Sequence, residues 1–359
     1  MLSKYKIFHL KILYIFFVFL SLFIFFFSTA RVNAKAFDVN NIEISEPFEI
    51  NFDKNKVIDD GFRKAFLKLI SIIVNSNDQK KITQPRINEI KGMIDSFSIK
   101  EEKFVNEVYY VNLGVTFNKK KIFNYLENKN IFPSIPVTKK ILFLPIIIDE
   151  NKKDLLLFSN NKIFDMWNTE TENFHLIKYI LPTEDLEDLN LLRSKYDLIE
   201  QYDFKDITSK YYLEDSIIAL IFKNENSIRI LSRIFIKNDL ILKNQSFTNK
   251  DIDNIDQIKD IINELKIVYE DYWKGLNQIN TSIKLNLSIK VNTSDSLKIS
   301  KFEKVLKETD LIYDFYINKF DQDFINYQII FNGTPDNFLK SMKNNDYYFN
   351  TQAKDWILK

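Results

Sequence analysis

Few side chains in this sequence can do chemistry, and their spacing narrows the choice further. Histidine occurs twice, as His9 and His175. His9 lies in an apolar leader, so His175 is the single imidazole of the remaining chain. Neither an H-E-x-x-H zinc site nor any paired-histidine ligand set can be assembled from one imidazole. His175 sits in Phe174-His175-Leu176-Ile177, a strand-like context that suits a partly buried structural histidine better than a general base. A Ser-His-Asp triad built on it needs partners that no local motif supplies. Cysteine is absent, which excludes thiolate nucleophiles, zinc–thiolate and iron–sulfur centres, disulfides and a lipid-modified cysteine.

The carboxylates cluster in two places. Glu184-Asp185-Leu186-Glu187-Asp188, inside LPTEDLEDLN, is the densest acidic stretch and could bind a divalent cation. The simpler expectation is that Thr183 caps a helix whose first turn favours acids. Asp251-Ile252-Asp253-Asn254-Ile255-Asp256 has the acid density of a calcium loop. It has Ile at the third ligand position and no glycine at the sixth, so that reading is rejected. Ser159-Asn160-Asn161-Lys162 matches S-x-x-K but lies in an Asn-rich loop without its companion motifs, and is read as coincidence. The five glycines, Gly61, Gly92, Gly114, Gly275 and Gly333, are never closer than 22 residues. Dinucleotide-binding, Walker, kinase and nucleophile-elbow motifs are therefore impossible. No catalytic, cofactor-binding or metal-ligating residue is assigned, and no cofactor is expected. Sequons occur at Asn244, Asn280, Asn286, Asn292 and Asn332, as chance allows in an Asn-rich chain.

Charge says little about a polyanionic partner. Four of the 50 basic residues fall in the first 34 positions, which hold no acids, so the remainder carries 46 bases against 49 acids, a net of −3. A nearly balanced chain has no global field to hold nucleic acid, and none is expected as a partner.

The N-terminus has the three parts of a secretory signal. Lys4, Lys6 and Lys11 precede an apolar run from Ile12 to Phe27, broken only by Ser21. Val32-Asn33-Ala34 then offers a small-residue site, with cleavage expected between Ala34 and Lys35. The rival reading is an uncleaved anchor, with membrane association through residues 12–30. Either way the bulk of the chain is expected outside the cytoplasm, in the periplasm or held at the inner membrane by one N-terminal span.

The elements that follow read as α+β throughout, in three small mixed α/β sandwiches. Residues 35–132 form the first. It has short strands at Ile42–Ile44 and Phe48–Ile50, then a helix with Ile58, Phe62, Ala65, Phe66, Leu69 and Ile73 on one face. A weaker helix near Pro85–Ser96, a strand-like Phe104–Phe117 and a helix at Lys119–Glu127 complete it. Residues 133–280 form the second, starting beyond Pro133 and Pro136. ILFLPIII, Ile141–Ile148, reads as a strand covered on both faces, with Pro145 placing it at an edge or ending it early. Ser216–Phe222, Ile228–Ile236 and Leu240–Lys243 form a meander, turning at Asn238-Asp239. A long helix with Ile255, Ile258, Ile262, Leu265, Tyr269, Tyr272 and Leu276 in one stripe lies on that sheet. Residues 281–359 alternate strictly from Ile283 to Val291, then give a helix, strands at Leu311–Ile317 and Phe324–Phe331, and a helix opened by Thr334-Pro335. A last strand comes from Tyr347–Phe349 or Trp356–Leu358. The order is ferredoxin-like, βαββαβ.

FRKAFLKLISIIV (Phe62–Val74), FVNEVYYVNLGVTFNKKKIFNYL (Phe104–Leu126), ILFLPIII and LPTEDLEDLN, behind an exported N-terminus, resemble domain-of-unknown-function family 2066 of secreted bacterial envelope proteins. That resemblance implies export and carries no functional residues. The second sandwich is also loosely similar to the N-terminal domain of the Tol-system propeller protein. Together these features point to a non-catalytic periplasmic interaction or assembly factor that meets an envelope partner through sheet edges or helix grooves. A carboxylate-based enzyme or small-ligand or cation binder using Asp185 and Asp188 is the alternative, and a membrane-tethered scaffold the third.

Overall fold

Hydrophobic periodicity places the first helix, α1 (Lys54–Ile73), where Val57, Phe62, Ala65, Phe66, Leu69 and Ile73 make one buried face. The computed structural model describes residues 37–82, 85–169, 175–224 and 227–359. The leader and the Ala34–Lys35 junction lie outside the described residues. Asp53 caps α1 by accepting from the Asn55 amide at 2.9 Å. The helix lies on a three-stranded antiparallel sheet of order β1-β3-β2, made by β1 (Asp38–Pro47), β2 (Ile94–Val105) and β3 (Val108–Phe117). The approach is close: a β-carbon at Gly61 would collide with Leu113 of β3.

Three expectations change in this region. Phe104–Phe117 is a hairpin rather than one strand, because Asn106 and Glu107 both adopt positive φ (52° and 59°), as a two-residue hairpin turn requires. The weaker helix is α2 (Ile87–Met93), and the chain passes directly from it into β2. Only the first of the two expected N-terminal strands forms: β1 contains Ile42–Ile44 and ends at Pro47, and Phe48–Ile50 lies outside any strand. Helix α3 (Lys119–Glu127), capped by Asn118 accepting from the Lys121 amide, closes the sandwich.

The second sheet has the order β5-β4-β7-β8-β9, with β6 also paired to β4. Its strands are β4 (Lys139–Asp149), β5 (Asp154–Leu156), β6 (Ile177–Ile180), β7 (Ser216–Lys223), β8 (Ser227–Ile236) and β9 (Asp239–Thr248). Strand β4 is buried on both faces, and between its partners it is central rather than marginal, which corrects the inference from Pro145. On one side it pairs with β7 without interruption from Leu142 to Asp149. On the other, β6 pairs only Lys139–Leu142 and β5 only Ile147–Asp149. Pro145 falls in the gap between them. The nitrogen and carbonyl of a strand residue point to the same side. The Pro145 carbonyl accepts from Asn161 Nδ2 at 3.0 Å across that gap. The missing N–H therefore faces a position where no strand needs it.

Short helix α4 (Lys162–Met166) and long helix α6 (Ile255–Leu276) cover one face, together with Phe143, Trp167 and Tyr269. Helix α5 (Leu186–Ser194) and Phe204, Ile207 and Ile199 cover the other. This sandwich thus has three layers. The stripe of α6 differs from the apolar expectation: Lys266, Glu270 and Lys274 are buried in it, while Ile255 is exposed.

The third sheet has the order β11-β12-β10-β14-β13, from β10 (Leu285–Asn292), β11 (Ile312–Phe320), β12 (Phe324–Phe331), β13 (Phe349–Asn350) and β14 (Trp356–Leu358). Helices α7 (Ser296–Glu308) and α8 (Pro335–Lys343) cover one face through Phe302, Leu306, Phe338 and Met342. The βαββα part follows the ferredoxin-like expectation. Its last strand does not. Both candidate segments are strands, joined as a small hairpin. Its second arm, β14, lies parallel to β10, where a βαββαβ chain places an antiparallel one. The sequon at Asn332 is 2% exposed, and neither side-chain atom has a hydrogen-bond partner among the described residues.

The segments that link the sandwiches run beside one another. Ile135 N donates to Asn277 O at 2.9 Å and Ile279 N to Pro133 O at 2.8 Å, around a Ser134–Gln278 bridge. Lys274 Nζ reaches the carbonyls of Ser71 (2.6 Å) and Val74 (3.2 Å) at the end of α1. On the other flank, Lys119 Nζ donates to Thr309 O at 2.7 Å and Tyr313 OH to Asn124 Oδ1 at 2.7 Å.

Candidate functional site

The acidic stretch is occupied by its own counter-ion. Asp185, rather than Thr183, caps α5, its Oδ1 accepting from the amides of Glu187 (2.8 Å) and Asp188 (3.4 Å). Lys210 Nζ lies 3.0 Å from Asp185 Oδ2 and 2.7 Å from Asp188 Oδ1. Its hydrogen bond holds the Asp185 carboxyl below the ordinary range. An ammonium thus stands where a cation bridging the two carboxylates would sit, and Asp188 is buried beneath it. Glu184 turns away to accept from the Ser159 amide at 3.0 Å. Lys162 instead reaches Asp253, which also pairs with Lys223 at 2.8 Å. The S-x-x-K match therefore does not converge. Asn254 in the second acidic stretch caps α6, accepting from the Asp256 amide at 3.0 Å. Among the described residues no group of three His, Asp or Glu side chains could hold a metal ion.

His175 belongs to a buried charged row that the sequence reading missed. Glu270 on α6 accepts from the amides of Leu176 (3.1 Å) and Ile177 (2.9 Å), and so fixes the start of β6. His175 Nδ1 lies 3.7 Å from the same carboxylate. Burial, then the charges of Lys266 and Lys274, lowers His175 to about 4, so the ring is neutral at neutral pH. Burial also raises Glu270 and lowers Lys274. In the core beside this row, the Tyr269 hydroxyl of α6 and the Ser232 hydroxyl of β8 bond each other at 2.7 Å. The row braces helix against strand.

A surface concavity of about 350 Å³ lies on the first sheet, where Glu43, Asn112 and Glu101 stand side by side across β1, β3 and β2. Lys103 fills part of it, 3.1 Å from Glu101 and above the Tyr110 ring.

The sheet edges differ sharply from one another. Natural edges are blunted by shortness, bulges, prolines or charge, because an unpaired ladder accepts a further strand. Strand β1 has a register shift between Val39 and Ile42 and ends in Pro47. Strand β2 shifts twice, at Ile94/Ser96 and Ile99/Glu101. Strand β11 also shifts twice, at Ile312/Asp314 and Ile317/Lys319. Strands β5, β6 and β13 have only three, four and two residues. Among the described edges β9 is the exception: ten residues pair with β8 without a register shift or proline. Its outer side meets no other described strand. Leu240 and Leu242 are 51% and 57% exposed there. The sequence signal was present in DLILKNQSFT, but only the sheet order reveals it as an edge.

No model of a known protein family matches the chain, and a search of curated proteins finds no significant match.

Proposed function

We propose that the chain is an exported, non-catalytic interaction or assembly factor of the bacterial cell envelope, and that it engages its partner by strand addition at β9. The observation that carries this reading is the contrast between β9 and every other described edge, each of which is shortened, bulged or ended by proline. Export is supported by the tripartite leader, which lies outside the described residues. No helix among the described residues is long and apolar enough to cross a membrane. The carboxylate-enzyme reading loses support from Lys210, whose ammonium already bridges Asp185 and Asp188.

The test is a photo-reactive residue placed at position 242 and, separately, at Phe97 on β2, each in living cells. A discrete crosslinked product from position 242, absent from position 97, is expected. No product at 242, or equal products at both positions, would sink the reading.

A further inference from the structure

Resting on the reading of β9 as a docking edge, we infer that its occupant is β9 of a second copy of this chain, paired antiparallel about Ile241. The register of β9 against itself favours this occupant. The five residues Asp239-Leu240-Ile241-Leu242-Lys243 run acid, three apolar, base. Antiparallel pairing centred on Ile241 sets Asp239 against the second copy's Lys243, Leu240 against its Leu242, and Ile241 against its Ile241. Every pair is complementary, and each unlike pair occurs twice by the two-fold axis.

Neighbouring registers are poorer. Centring on Leu242 sets Ile241 against Lys243 and Leu240 against Asn244, and centring on Leu240 sets Leu242 against the turn residue Asn238. Centring on Lys243 stacks two ammoniums opposite each other, and centring on Asn244 sets Leu240 and Leu242 against Thr248 and Ser246. Centres that fall between two residues are excluded, since they would oppose residues of different faces.

The backbone agrees with the same register. A two-residue turn, here Lys237-Asn238 with φ of 54° and 68°, closes on a hydrogen-bonded pair, Ile236 and Asp239. Counting outward along the alternating ladder, the amides and carbonyls of Leu240 and Leu242 point away from β8. Those two residues are partners in the register centred on Ile241, so the new ladder closes four hydrogen bonds. Their exposed side chains share the face opposite α6, because Ile241 pairs with the core residue Ile234 on the α6 side. Two copies would thus bury a cluster of four leucines, flanked on the other face by two Asp239–Lys243 pairs. Neither Asp239 nor Lys243 has an ion partner among the described residues, and both are exposed.

Sedimentation of the full chain across a concentration series tests this, with three variants. Wild type is expected to form a dimer. Lys243→Asp should weaken the dimer roughly tenfold, since it turns two attractive pairs into two repulsive ones. The double exchange Asp239→Lys with Lys243→Asp should restore it to within a few-fold. Leu242→Pro should abolish it while retaining the circular dichroism of the fold, because the N–H it removes points outward. A wild type that stays monomeric throughout, or a dimer indifferent to Lys243→Asp, would overturn the inference. So would a crosslinked product from position 242 that contains a different protein, though that outcome would leave the docking edge itself standing.

Discussion

Replacing Asn161 by alanine should reveal how the second sheet tolerates a proline in its central strand. Asn161 is 0% exposed and does two jobs at once. Its Oδ1 caps α4 by accepting from the amides of Ile163 (3.0 Å) and Phe164 (3.2 Å), while its Nδ2 donates to Pro145 O. Losing an Asn cap costs about 1 kcal/mol. Leaving a buried carbonyl without a donor costs a further ~1–3 kcal/mol. Asn161→Ala should therefore destabilise by about 3 kcal/mol. The control is Asn254→Ala at the start of α6, where the amides of Asp256 (3.0 Å) and Gln257 (3.2 Å) are capped in the same way and no carbonyl depends on the side chain. It should cost about 1 kcal/mol. Urea titration followed by tryptophan fluorescence suits the comparison, because Trp167 directly follows α4 and stacks on Phe143 at 3.8 Å. Asn161→Asp keeps the acceptor but loses the donor, so at neutral pH it should be no more stable than Asn161→Ala. Equal losses for Asn161→Ala and Asn254→Ala would refute the reasoning, since the Pro145 carbonyl would then need no partner in the gap.

Other outcomes follow from the buried charges and one close contact. The folded pKa of His175 is about 4, below its ordinary 6.5. Between those values the unfolded chain holds a proton that the folded chain lacks, so stability should fall as pH drops from 6.5 towards 4, by about 2–3 kcal/mol. Glu270, raised by burial, acts with the opposite sign. The readout is therefore wild type against His175→Gln, whose urea midpoint should fall less between pH 7 and 4.5; parallel curves would count against this. Lys274→Met strands the carbonyls of Ser71 and Val74 and should cost about 2–3 kcal/mol, with faster proteolysis between Phe132 and Val137; a loss below about 0.5 kcal/mol contradicts the role assigned to it. Gly61→Ala gains about 1 kcal/mol of helix propensity but drives a methyl into Leu113, which costs ~1–3 kcal/mol. Thermal unfolding should show a net loss, and a stabilised variant would mean that Leu113 can move aside.

What the sequence disclosed depended on whether the signal was local. Strict alternation in Leu285–Val291 and the period of α6 come from one strand and one helix meeting one core, and such patterns survive translation into structure. The Asn106-Glu107 turn was hidden because it lacks the glycine that usually marks positive φ. Pro145 misled because its cost depends on which side of β4 is paired, a property of β5 and β6. Glu270 and Lys274 interrupt an apolar stripe and so read as solvent-facing, although unsatisfied amides at β6 and carbonyls at α1 draw them inward. The candidate site divides in the same way. Asp185 and Asp188 drew notice as a charge cluster, and Lys210, more than 20 residues away in sequence, decides their chemistry. The acid–apolar–base run of β9 is fully written in the sequence, whereas its freedom from a neighbour belongs to the sheet.

The paired linkers bear on how the chain reaches its fold. Joining Ser134 to Gln278 as a first event would mean closing a very long loop, with an entropic penalty of ~4 kcal/mol beyond the constant for short loops. Once the second sheet has assembled under α6, its two ends already lie together, and that penalty has been met inside its own core. The first and third sandwiches then behave as though a short tether joined them, so α3 and β11 meet at a high effective concentration. The intervening 140 or so residues thus act on the flanking parts as a clasp, and a chain cut out between Val137 and Asn277 and rejoined there should still bring Lys119 to Thr309.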